Sequence, residues 1–213
     1  MEPSYTEEVI SLYLDADEYS EVMDKEVLGE LYTLALNSMS LFLKKSSKPL
    51  LDTACGTGQF LNEYYEKYDK NRALVGIDLS PKMLNKAKEV TKGVAELYIG
   101  NMCNLTMIND GAMAGVVNFF AIQHINEHEL PIAINEWQRV LEDGGKLILA
   151  GWNGNGTIDY GGESSIKAYL YNELLLKVIL EDFGFDVAEC RVIQRPTPEI
   201  PMDAFYLEAI KTI

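Results

Sequence analysis

Leu50-Leu51-Asp52-Thr53-Ala54-Cys55-Gly56-Thr57-Gly58-Gln59-Phe60 is the stretch on which the rest of the chain is arranged. Two apolar residues end in an acid, a turn of small residues follows, and Gln59-Phe60-Leu61-Asn62-Glu63-Tyr64-Tyr65 then runs on like a helix. That is a strand, a tight glycine loop and a helix. Gly56 and Gly58 let the backbone turn sharply and approach a ligand where a Cβ would collide. The N–H groups of such a loop, and of the helix it opens, point across the strand ends.

Working outward, Ala73-Leu74-Val75-Gly76-Ile77-Asp78 is a second short β-rich run ending in an acid. Asp78 stands 20 residues beyond Gly58. An acid at that distance, at the tip of the next parallel strand, is placed to accept both ribose hydroxyls of an adenosine. Asp78-Leu79-Ser80-Pro81-Lys82-Met83-Leu84 then opens a helix, with Ser80 as N-cap and Pro81 as its first residue.

Asp52 to Gly58 resembles the nucleotide loop of class I S-adenosylmethionine-dependent methyltransferases of the small-molecule kind, with a type 11/25-like domain. That loop is usually Asp-Leu-Gly-Cys-Gly-Thr-Gly; here Thr53 and Ala54 replace Leu and the first Gly. The segment from Asp78 to Leu84 is similar to the family's second signature. The resemblance implies an α/β, Rossmann-like, seven-stranded and mostly parallel sheet. It has helices on both faces, an antiparallel last strand and an N-terminal helical cap. It implies S-adenosylmethionine as cofactor and S-adenosylhomocysteine as product. Asp52, Ala54, Cys55, Gly56, Thr57 and Gly58 would hold the methionine half, Asp78 the ribose, and Leu79, Met83, Asn101 and Met102 the adenine. Phe119 would lie beside the sulfonium. Tyr13 and Tyr19 resemble the tyrosines of the family's cap. Each reads equally as an aromatic residue on a buried helix face. Asn101 stands where the family shows Asp, and is also an ordinary turn residue.

The remaining pattern alternates. Residues 6–45 have helical spacing, with Gly29 as the internal weak point. Strands are expected at 95–101, 113–122 and 146–152, with a helix at 127–141. Arg139-Val140-Leu141-Glu142-Asp143-Gly144-Gly145 resembles the family's turn into the fifth strand. Residues 151–162, rich in Gly and Asn, read as a flap or a long loop. A helix over 164–183 and strands over 185–193 and 204–213 complete one domain, 1–213. Its parts are a cap (1–47), a cofactor-binding core (48–152), a loop and helix over the acceptor pocket (153–183) and closing strands (184–213). Alternation of this kind puts the ligand beyond the carboxyl ends of the first strands.

With 33 acidic against 18 basic residues, the formal charge is −15. Such a surface repels phosphate backbones, so nucleic acid and anionic membranes are excluded as partners. Asn118-Phe119-Phe120-Ala121 shares only its Asn with the Asn-Pro-Pro-Tyr of enzymes that methylate base amines. The partner expected is a small-molecule methyl acceptor, taken by a monomer or homodimer. Three cysteines without C-x-x-C spacing suggest reduced thiols in a cytoplasm. Met1 to Tyr5 has neither a basic region nor an apolar core, so no signal peptide is expected there. No apolar run reaches the ~18–20 residues of a membrane span.

Three rival functions stay open. A nicotinamide-dependent oxidoreductase shares the strand–loop–acid logic, but Leu61 stands where G-x-G-x-x-G wants its third Gly. His124-Ile125-Asn126-Glu127-His128 matches the H-x-x-E-H zinc-hydrolase pattern at a strand-to-helix loop. A non-catalytic adenosine-binding protein is the third. For methyl transfer, His124 is the candidate general base, with Glu127 to orient it and an ordinary pKa near 6.5. It reads equally as a structural histidine. His124, Tyr19, Trp152 and Tyr160 are the expected acceptor-pocket residues. No metal is expected.

Overall fold

In a computed structural model the described residues are 9–11, 15–27, 29–159, 167–194 and 202–213. Tyr13, Tyr160 and the start of the expected 164–183 helix lie outside them.

Seven strands form one sheet: β1 (Leu50–Asp52), β2 (Leu74–Asp78), β3 (Ala95–Ile99), β4 (Met113–Phe119), β5 (Leu141–Trp152), β8 (Phe185–Ile193) and β9 (Ala204–Lys211). Their spatial order is β3-β2-β1-β4-β5-β9-β8. The β1–β2, β1–β4, β2–β3 and β4–β5 pairs are parallel, while β9 runs antiparallel to both β5 and β8. The chain order reverses between β1 and β4. A crevice opens at such a point beyond the carboxyl ends of the strands.

Among the described residues, helices α1 (Ala16–Glu26), α2 (Glu30–Leu43), α3 (Gln59–Lys67), α4 (Pro81–Val90), α5 (Leu130–Val140) and α6 (Glu173–Asp182) cover the sheet. Strand residues alternate between two cores. Leu50, Val117 and Ile148 pack with α1 to α4, through Met23, Met39, Phe60 and Leu84. Leu51, Val116 and Leu147 pack on the other face with Trp137 of α5 and Leu176 of α6. Ser80 caps α4 as its sequence predicts, its side chain accepting from Met83 N–H at 3.3 Å. The weak point at Gly29 is the break between α1 and α2, where it serves as N-cap.

The structure corrects several boundaries. β4 ends at Phe119, and Ile122 belongs to a 3-10 turn with His124. The Gly144-Gly145 pair lies within β5 as an irregularity of register, not as a turn ahead of it. The glycine- and asparagine-rich flap holds β6 (Gly156–Asp159), which pairs antiparallel with β7 (Lys167–Leu170). β7 occupies part of the expected 164–183 helix, which begins only at Glu173, where the Asn172 side chain accepts from Leu174 and Leu175 N–H.

The three cysteines are free thiols. Among the described residues no helix is long and apolar enough to cross a membrane.

Candidate active site

The crevice at the β1/β4 reversal is a solvent-open cleft with about 610 Å³ of empty space. Its floor is the loop after β1. Gly56 has φ +52°, and a Cβ there would meet the Tyr19 ring of the cap at 3.4 Å. The positive φ favours glycine there, while a Cβ would make only ordinary contact with the Tyr19 ring.

Asp78 organises this loop. Its carboxylate accepts Gly56 N–H at 2.8 Å and Ser80 N–H at 2.9 Å. Burial raises its pKa, against the lowering effect of those N–H groups. Asp52, at the end of β1, is buried beneath the floor and accepts Ala54 N–H at 3.2 Å. Burial, with the negative charge of Asp78 nearby, pushes its pKa up to about 7. One desolvated acid, Asp78, thus lines the cleft with Asp52 buried beneath it, and no lysine or arginine lines the cleft among the described residues. Such an arrangement favours a ligand that brings positive charge and hydroxyl donors.

Of the sequence-predicted residues, Ala54, Gly56, Asp78, Leu79, Met83, Met102, Phe119, Tyr19 and His124 line the cleft. Others do not. The Cys55 side chain turns away into the core, where a Cβ on Gly76 would come within 2.8 Å of its sulfur. Thr57 is buried and donates to Gln59 Oε1 at 2.6 Å. Gly58 has φ +85°, and a Cβ there would meet Ala87 and Thr91 at 3.1 Å, so its job is to let α3 approach α4. Asn101 uses its amide oxygen locally, accepting Cys103 N–H at 2.8 Å. Trp152 stands behind the cleft, tilted against Phe120 at 4.6 Å between ring centroids.

Thr53, Ser80, Gly100, Phe120 and Ala121, with Val9 and Ile10, line the cleft without having been singled out. Thr53 is fixed by Asn118, whose amide donates to its hydroxyl at 3.0 Å. Gly100 was readable from its place beside Asn101. Phe120 was not. It adopts φ +48°, a left-handed conformation costing a non-glycine residue on the order of 1–3 kcal/mol.

His124 is buried at 8% exposure, and desolvation lowers its pKa to about 4. The imidazole is thus neutral at pH 7 and a weaker base than its ordinary value implies. Glu127 and His128 do not join it. Their side chains are 86% and 90% exposed and pair with each other at 3.9 Å. The H-x-x-E-H residues are not brought together, and no group of three or more His, Cys, Asp or Glu suited to a metal occurs among the described residues.

A cap is fastened to this floor. Gln59, the first residue of α3, donates to Ser20 Oγ at 2.8 Å and to Asp24 at 3.2 Å, both on α1. Lys86 of α4 donates to Asp17 of α1 at 2.6 Å.

A reversed parallel sheet with a glycine loop after β1 and an acid at the end of β2 is the fold of solved S-adenosylmethionine-dependent methyltransferases. Residues 50–145 match the family model of the methyltransferase domain. Over that stretch the chain is similar to a methyltransferase domain. An uncharacterized methyltransferase of Anoxybacillus flavithermus is 26% identical over 140 residues, covering 66% of this chain and 59% of that one. A stretch of 123 residues matches, at 28% identity, a 37.1 kDa protein in a transposon of Streptomyces fradiae, over 34% of its length. The chain thus spans little more than half, or less, of the curated relatives it matches. Among solved structures, a methyltransferase of Haloferax volcanii in complex with its Trm112 activator superposes with a TM-score of 0.74 at 16% identity, over 99% of this chain and 98% of that one. The 1,6-didemethyltoxoflavin-N1-methyltransferase of Burkholderia thailandensis superposes with a TM-score of 0.72 at 14% identity, over 100% and 93%.

Proposed function

We propose that the chain transfers the methyl group of S-adenosylmethionine to a nitrogen or oxygen of a small-molecule acceptor. The observation that carries this reading is Asp78, part-buried and lining a cleft without a basic side chain among its described walls, with Asp52 buried beneath the loop after β1. The cofactor suits that arrangement chemically. It bears a sulfonium, an ammonium and two ribose hydroxyls, and each relieves a desolvated carboxylate.

Asp78 would take the ribose hydroxyls while still ordering the loop through Gly56. Leu79, Met83 and Met102 would sandwich the adenine. Asp52 would act from below as the countercharge to the methionine half. The cofactor supplies an already activated methyl group. The chain's share is to align the acceptor and exclude water. His124, neutral in the cleft, would accept a hydrogen bond from the acceptor's O–H or N–H and so orient its lone pair. The acceptor would be metabolite-sized, taken by a monomer or homodimer. The strongly acidic surface argues against a nucleic-acid acceptor.

Calorimetric titration with S-adenosylmethionine, S-adenosylhomocysteine and NAD tests the reading. Micromolar binding of both adenosyl ligands, none of NAD, and weakening by on the order of 100-fold in Asp78→Ala are expected. Folded protein that binds NAD but neither adenosyl ligand would overturn it.

A further inference from the structure

The two ends of the cleft are built differently, and the end beyond β4 has its own signature. In an extended strand, successive side chains point to opposite faces. Phe119 and Phe120 break that rule. The Phe119 ring lies 4.8 Å from Tyr32 and the Phe120 ring 6.5 Å from the same ring, so both stand on the side of the cap. Both also border the cleft.

The cause is the left-handed backbone at Phe120, φ +48°. Two hydrogen bonds hold it. Phe120 N–H donates to Ala150 O at 2.8 Å, and the buried Gln123 side chain donates to Phe120 O at 2.5 Å. Each ring is then braced from behind, Phe120 by Trp152 at 4.6 Å and Phe119 by Phe60 at 5.4 Å. Backbone strain kept in place by such bracing, at the wall of a cleft, points to a use of the wall.

The cleft's described walls also include Val9, Ile10, Ala121 and His124. Only Asp78 among the described walls carries a fixed charge, and it is negative. An acceptor bearing a phosphate or carboxylate would leave it desolvated there, without a described partner.

We infer that the acceptor is a planar, uncharged ring compound, laid against the paired Phe119 and Phe120 rings that the left-handed turn brings to one side of the cleft. The inference rests on the methyl-transfer reading above and names the substrate class of the same site. Flat rings gain offset or edge-to-face contact with such a wall. Alkylammonium acceptors are the alternative that aromatic walls also admit.

The test uses protein saturated with S-adenosylhomocysteine, so that only the acceptor end is free. Indole and naphthol serve as planar neutral probes, ethanolamine and phosphoethanolamine as charged aliphatic ones, with affinities read by calorimetry. Phe120→Gly keeps the left-handed backbone and removes the ring. Expected is measurable binding of a planar probe, weakened on the order of tenfold in Phe120→Gly, with affinity for S-adenosylhomocysteine unchanged. Phe120→Leu, which keeps apolar bulk but not a flat face, gives the same reading if the glycine variant unfolds. Tighter binding of either charged probe, no binding of both planar probes, or equal planar-probe affinity in the variants would overturn the inference. Loss of S-adenosylhomocysteine binding by the wild-type protein would instead fail the cofactor reading.

Discussion

The two ends of the cleft solve opposite problems. The Asp52/Asp78 end is made of backbone and carboxylates: a loop whose N–H groups are already ordered by Asp78, over a second acid that burial has made reluctant to ionise. The Phe119/Phe120 end is made of rings and a histidine that burial has made reluctant to protonate. Both ends therefore hold groups displaced from their ordinary charge state, in opposite directions. The first is relieved by a cation and hydroxyls. The second asks for neither.

The largest expected effect tests that opposition through pH. Asp52 has a folded pKa near 7, above its ordinary value of 3.8. Its protonated form is the one the fold prefers, so the stability it contributes is present below about pH 4 and is lost as pH rises to about 7. The loss has an upper bound of about 4 kcal/mol. His124 has a folded pKa near 4 against an ordinary 6.5. Its contribution is present above about pH 6.5 and is lost as pH falls toward 4, by up to roughly 3 kcal/mol. In ligand-free protein the two slopes oppose each other across one window. Denaturant titrations between pH 4 and 8 should show each alone in the variants. Asp52→Asn should lose stability on acidification, and His124→Gln should gain it. Parallel slopes in both variants would break the comparison.

A second prediction concerns the loop's frame. Gly58→Ala must place a side chain at φ +85° and within 3.1 Å of Ala87 and Thr91. About 2–3 kcal/mol of stability should be lost, or roughly 5–10 °C in Tm by calorimetry. The smallest effect sharpens the boundary of the cofactor end. Because the Asn101 amide oxygen is engaged by Cys103 N–H, Asn101→Ala should change S-adenosylmethionine affinity by less than about threefold, within a single weak hydrogen bond. A loss as large as that of Asp78→Ala would return Asn101 to the adenine.

Much of the Asp52/Asp78 end was legible in the sequence as a strand, loop and acid, because that pattern is carried by residues with few substitutes. An acid at a strand tip, glycines in a turn and an acid 20 residues on constrain the backbone directly. What could not be read was which small loop residues face the cleft. Cys55, Thr57 and Gly58 share the loop's composition, yet they serve the core, the cap network and the α3–α4 contact. The acceptor end was less legible. Nothing in the identity of Phe120 signals a positive φ, since the hydrogen bonds from Gln123 and to Ala150 impose it. The β6–β7 hairpin was hidden because its strands are four residues each and partly polar, so neither period stands out. Glu127 and His128 matched a pattern of letters, but solvent faces both, and spacing alone does not bring side chains together.

The placement of β9 has a consequence for how the chain is made. Ala204–Lys211 lies between β5 and β8 and pairs with both. β9, which follows β8 in chain order, is thus an interior strand. Until it has emerged, β5 has an open edge, and β8 has no neighbour among the described strands. The sheet can be assembled from β3 through β5 during synthesis, but its other wing forms only when the 204–211 segment arrives and inserts. Removal of that segment would expose two strand edges at once, in a protein whose distant pairings already slow folding. A domain wired in this way does not tolerate trimming there, and its quality control is in effect an inspection of β9.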